Sequence, residues 1–182
     1  MFSFLSSFQK KVLTAFFVFG FLAAGLTGCD SSIADNDANN QGTLPENLQG
    51  EWVFIPPGSN TPADYYNISE STLRYVMDDP DYGSDYAAAI RFVSNYSNDS
   101  GVIIIEYTQG YIFGADYDVE YPFTGIYYKN LGGNTVQLAN AYDGSGRTET
   151  TTLDEAKAKF TRNKMDTYVS WTYVQPYTKN TQ

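Results

Sequence analysis

From residue 48 onward, apolar and polar positions alternate with a period of two, in short runs separated by Gly, Pro, Asn and Asp. That is the signature of half-buried β-strands joined by turns. "GEWVFIP" (50–56) sets Trp52 and Phe54 on one side and stops at Pro56-Pro57-Gly58. "DYYNIS" (64–69) and "TLRYVMD" (72–78) read as the next strands, with Leu73, Tyr75 and Met77 on a shared face. "YAAAIRFVSNY" (86–96) puts Ile90 and Phe92 together, and "SNDSG" (97–101) turns the chain. "VIIIEYTQ" (102–109) has β-branched residues at four consecutive positions. "YPFTGIYYKNL" (121–131) and "TVQLANAYD" (135–143) flank "GGN", a hairpin signal. "TYVSWTYVQPY" (167–177) alternates Val169, Trp171 and Tyr173 against Ser170 and Thr172, which predicts a last strand.

One segment departs from this period. "TTLDEAKAKFTRNKM" (151–165) predicts a helix, with Thr152 and Glu155 as a capping box. Asp154 and Glu155 in the first turn and Arg162 and Lys164 in the last suit the macrodipole. Leu153, Ala156 and Phe160 make a narrow apolar stripe, so the helix should lie on the outside of a sheet. Eight short strands and one late helix suggest a sandwich or an up-and-down barrel. Sequential hairpin spacing favours the barrel, because closure removes exposed edges.

The N-terminus follows a different rule. Two lysines, Lys10 and Lys11, precede a fifteen-residue uncharged apolar run (12–26), then Thr27, Gly28 and Cys29. A basic start, a short apolar stretch and small residues describe a secretory signal. The run is short for a membrane span, which needs about 20 apolar residues. "LTGC" (26–29) resembles the lipobox of bacterial lipoproteins. The resemblance implies cleavage before Cys29, diacylation of its thiol and acylation of the new amino terminus. Several acyl chains give stable anchoring where one is marginal. Residues 30–47 carry only Ile33 and Leu44 as larger apolar side chains and no aromatic, so this stretch is expected to be a disordered tether. The expected organisation is a leader over 1–28, a lipidated cysteine and tether over 29–47, and a β-domain over 48–179.

"LQGEWVF" (48–54) resembles the first lipocalin motif, in which G-x-W opens the first strand; here these are Gly50, Glu51 and Trp52. A late helix before a last strand suits the same plan. The wording "YYKN…TVQLANAYD…TLDEAKAKFT…YVSW" makes 44–178 similar to lipocalin-like domains in lipoproteins of spirochaetes, particularly treponemes. The resemblance implies an eight-stranded antiparallel lipocalin-like (calycin) barrel with one short helix before the last strand. It also implies that Trp52 closes one end, covered by an arginine following the last strands. The basic residues nearest that position are Arg162, Lys164 and Lys179. The middle T-D-Y motif has only a faint echo in "ADYD" (115–118).

Composition narrows the chemistry. The chain has 21 acidic and 11 basic residues, no histidine and one cysteine. Removing 1–28 takes away two lysines and no acid, so the net charge moves from −10 to about −12. Such a surface disfavours nucleic acid, which needs a basic stripe. Without histidine neither Ser-His-Asp catalysis nor a common zinc site can be built, and one Cys forms no intrachain disulfide. "DDPDYGSD" (78–85) fails calcium-loop spacing, with Gly83 at a ligand position and Ile90 where the bidentate Glu belongs. Asp116, Asp118 and Glu120 fall on one strand face, but residues i and i+4 of a strand lie about 13 Å apart along a row. No catalytic residue, metal ligand or cofactor motif stands out, and an enzyme is not expected.

The leader also removes seven of the twelve phenylalanines and none of the sixteen tyrosines. Tyr65, Tyr66, Tyr75, Tyr107, Tyr127, Tyr128, Tyr142, Tyr168 and Tyr173 fall in or beside strands. Tyrosine fits a pleated, half-wet surface, and it also suits a cup or rim that meets a mixed ligand. Two functions are therefore in view. In the first, a tethered barrel binds a small apolar or amphipathic ligand, with Trp52, Phe54, Tyr75, Phe92 and Tyr128 as lining candidates. In the second, the barrel is filled, and a structural or interaction lipoprotein meets an envelope or host protein. Either way the membrane is a partner through the lipid on Cys29. The expected location is the cell envelope, at the outer membrane or the periplasmic face of the inner one.

Overall fold

The computed structural model describes residues 41–77, 83–112, 115–116, 120–142, 144 and 148–181. The leader, Cys29, the tether through residue 40, Asp78, Asp79, Asp81, Asp118 and most of the 143–147 loop lie outside the described residues.

Among the described residues nine strands form: β1 (Gly50–Phe54), β2 (Asp64–Ile68), β3 (Thr72–Met77), β4 (Ser84–Asn95), β5 (Gly101–Ile112), β6 (Ala115–Asp116), β7 (Phe123–Gly132), β8 (Thr135–Asn140) and β9 (Pro176–Lys179). Each of β1 to β4 pairs antiparallel with the next, β4 continues to β5, and β5 to β7. The ring closes through β8 and β9 back to β1, while the two-residue β6 folds onto the end of β5. The result is a closed, eight-stranded antiparallel barrel, as the alternation predicts, with a short helix before the last strand. The seven strands expected from 50 to 143 all form.

Alternation sorts side chains into two cores. On β5, Ile103, Ile105 and Tyr107 point into the barrel with Trp52, Tyr66, Ile68, Leu73 and Tyr86, while Val102 and Ile104 point out. The outward residues are buried too, because helix α1 (Leu153–Lys159) and the short α2 (Met165–Tyr168) cover that wall. The capping box forms as expected: the Thr152 side chain accepts from the Glu155 N–H, and Glu155 accepts from the Thr152 N–H. The helix is shorter than expected, because Phe160 leaves helical geometry to lie against Gly125. A Cβ on Gly125 would stand 2.7 Å from the Phe160 ring. The carbonyls freed at that end are taken by phenols, Tyr96 donating to Phe160 O and Tyr127 to Thr161 O.

Three expectations need correction. Phe92 does not share a face with Ile90. Arg91 is an extra residue in β4 opposite the Ile105 to Ile104 step, and this bulge turns Phe92 onto the outer wall. The last strand forms, but later than expected, and 167–175 is not part of it. Val169 is drawn into the outer core, Trp171–Tyr173 make a 3₁₀ turn, and pairing begins only at Pro176. The Gln137 side chain holds this detour by donating to Val174 O at 2.7 Å. Finally, the barrel begins before residue 48: Leu44 is buried in the inner core, and Gly42 N–H donates to Val93 O at 2.8 Å.

Phe160 joins helix and barrel through buried ring area, so Phe160→Ala should lower the free energy of unfolding by about 3–5 kcal/mol. Urea denaturation checks this; a loss below about 1 kcal/mol would mean the outer layer adds little to the barrel.

Candidate functional site

The two ends of the barrel differ. At one end the 3₁₀ turn Glu46–Leu48 seals the shaft, with Leu48 fully buried and its carbonyl accepting from Trp52 Nε1 at 2.8 Å. Lys179 Nζ lies 5.3 Å from the Trp52 ring centre and donates to Asn47 O. Gly50 has φ +123°, and a Cβ there would stand 2.9 Å from Lys179 Cε. The glycine of G-x-W is thus required twice, by its backbone and by the lysine stem.

The opposite end, the mouth, has a different chemistry. Register aligns Trp52, Tyr66, Tyr75 and Tyr86 across β1 to β4, all inward. Their rings are in contact: Tyr66 and Tyr75 are 4.5 Å apart between centres, Tyr75 and Tyr86 5.5 Å. Tyr107 extends the row from Tyr86 at 5.0 Å, and Tyr177 meets Tyr66 at 5.3 Å. The next row toward the mouth is Phe54, Asp64, Met77 and Ser84.

Four of these five phenols bond a polar side chain. Tyr86 donates to Asn140 Oδ1 at 3.3 Å, and Tyr107 bonds Thr124. Tyr75 donates to Asp64 Oδ2 at 3.3 Å, and Tyr177 also bonds Asp64. Burial raises the Asp64 pKa above the usual carboxylate range, and the bonds from Tyr177 and Tyr75 only partly oppose it. Its other oxygen, Oδ1, is shielded from solvent and has no hydrogen bond. Burial likewise pushes the phenols of Tyr66, Tyr75, Tyr86, Tyr107 and Tyr177 above their ordinary range. They stay protonated at neutral pH and act as hydrogen-bonding groups, not as bases.

The lining candidates separate accordingly. Phe54 and Tyr75 both face the inner core, Phe54 one row nearer the mouth; Trp52 and Tyr128 are buried in the shaft, and Phe92 lies outside under Lys157. Tyr128 donates to Asn95 Oδ1, at the end of β4 beside the seal. Sequence reasoning passed over Asp64, Tyr86 and Tyr177. The signal for Asp64 was present, since alternation in "DYYNI" puts it on the same face as Tyr66 and Ile68. Among the described residues, two surface grooves of about 320 and 520 Å³ lie on the outer wall, and a third of about 430 Å³ runs beside the 41–49 segment at the sealed end. Comparison with models of protein families, with curated proteins and with solved structures gives no significant match to this chain.

Two pH responses follow. A phenol whose folded pKa is raised stabilises the fold below the unfolded value, about 10, and loses that contribution as pH rises further. The seven phenols so raised, Tyr127 and Tyr128 included, should ionise together with loss of the fold. Absorbance at about 295 nm and near-UV dichroism should change in one step; smooth ionisation of an intact fold would contradict this burial.

For Asp64 the sign is reversed, because the folded state holds the proton more tightly. Stability then falls as pH rises from the unfolded value, about 3.9, to the folded one. Asp64→Asn should therefore raise the melting temperature at pH about 7 and leave it nearly unchanged at pH about 3. A lowered melting temperature at neutral pH would show that the carboxylate stabilises the mouth.

Proposed function

We propose that this chain is a lipid-anchored lipoprotein of a bacterial envelope. Its lipocalin-like barrel is a filled, non-enzymatic recognition module that works through its rim and outer surface. The observation that carries the reading is the tyrosine layer. An eight-stranded barrel has room for side chains or for one small ligand. Rings whose centres lie 4.5 to 5.5 Å apart leave no slot between them. This speaks against the first function in view, an apolar ligand enclosed by Trp52 and Tyr75, and favours the second.

Two further features support the reading. Lys179 lies over Trp52, where the G-x-W resemblance implies an arginine; a cation covering the indole is consistent with that plan. On the outside, Tyr142 and Tyr173 are 66% and 83% exposed, which suits a protein partner in the envelope or on a host. The lipobox-like "LTGC" supplies the membrane address.

Two experiments test this. Native mass spectrometry of protein extracted from its own membrane should show a polypeptide beginning at an acylated Cys29, with no apolar molecule retained. A stoichiometric apolar adduct would reverse the choice between the two functions. Cys29→Ser should release the protein from membranes with its leader unprocessed at that site; retention at the normal mature mass would contradict anchoring there.

A further inference from the structure

Asp64 accepts the hydroxyls of Tyr75 and Tyr177, yet part of its carboxylate is left unused by the fold. It stands at the first position of β2, on the inward row, between Phe54 and Met77 on the flanking strands. No cationic group among the described residues acts on it: Arg74 is turned outward to Asp85, and Lys179 lies over Trp52 at the sealed end. Tyr75 donates to Oδ2 and Tyr177 bonds the same carboxylate, while Oδ1 has no geometrically good hydrogen bond. A buried polar atom without a partner is costly, so a residue kept in this state calls for an explanation.

The surroundings indicate which ligand would relieve it. Tyr75, Tyr177 and Tyr66 form a contiguous aromatic floor, and the Phe54 ring lies 6.2 Å from that of Tyr177. Aromatic faces attract cations within about 6 Å, most strongly when desolvated. A carboxylate beside such faces suits a positively charged nitrogen carrying apolar substituents. The ammonium meets the carboxylate while its carbon groups lie on the rings. Asp64 is itself partly exposed at the rim. The chain's net charge of −10 adds a field that concentrates cations.

We propose that the rim of the mouth binds a small organic ammonium ion, with the Asp64 carboxylate as its counter-charge and Phe54, Tyr75 and Tyr177 as its walls. The ligand rests on the tyrosine layer and does not enter the shaft. The site therefore goes beyond the filled-barrel reading and is compatible with it. A weakly held cation at the rim would be lost during purification, so native mass spectrometry bears on the shaft alone.

The test uses n-butylammonium and tetramethylammonium chloride, with sodium butyrate at matched ionic strength, read by saturation-transfer NMR on the folded protein. Both ammonium ions should saturate one site with Kd of about 1 mM or below, and butyrate should not bind. Asp64→Asn should weaken binding at least about tenfold, while Asp85→Asn, on the outer wall, leaves it unchanged. In the wild-type protein, affinity should fall as pH is lowered from about 8 to about 4 and the carboxylate is neutralised. Absence of saturation by either ammonium at about 50 mM, equal affinity in Asp64→Asn, or affinity independent of pH would overturn the site.

Discussion

Closing eight strands into a ring creates a shaft that must be filled, and the rest of this structure follows from filling it with tyrosine. A phenol brings a large apolar ring and a hydroxyl that has to be satisfied once buried. The rings of Tyr66, Tyr75, Tyr86, Tyr107 and Tyr177 pack edge and face against one another. Their hydroxyls explain the polar residues in a position where an ordinary core would be apolar: Asn140, Thr124 and Asp64 are their partners. The mouth is polar because the shaft below it is phenolic.

The sealed end solves the complementary problem with apolar residues and backbone. Leu44 and Leu48 fold under the barrel, Trp52 donates to the Leu48 carbonyl, and Lys179 covers the indole. That links the start of the domain to its last strand, where β9 meets β1 through only two registered pairs. The outer wall repeats the economy of the inner one. Val102, Ile104 and Tyr127 would be exposed on a bare barrel, and the Phe160 turn and Met165 cover them.

Much of this was legible in the sequence. Strands with clear alternation and flanking turns formed where the pattern put them, and the Thr152/Glu155 box marked the helix start. Legibility failed where tertiary packing overrode a local period. Arg91 bulges, and no one-dimensional pattern distinguishes a bulged residue from a regular exposed one, so Phe92 was read onto the wrong face. In 167–177 the alternation is real, yet burial of Val169 outside the barrel wins over pairing. Leu44 sits among polar residues, and only the open end of a barrel gives it somewhere to go. Asp64 was readable by parity, but its meaning depends on Tyr177, which lies more than a hundred residues away in the chain.

The central claim is that the tyrosine layer fills the shaft as a close-packed core. Replacing one of its rings measures this directly, and Tyr66, buried against both Tyr75 and Tyr177, is the ring to remove. Equilibrium denaturation of Tyr66→Ala should show a loss of about 3–5 kcal/mol, the cost of a large cavity in a rigid interior. A loss below about 1 kcal/mol would mean that the ring lines an open cup, and the filled barrel would have to be abandoned.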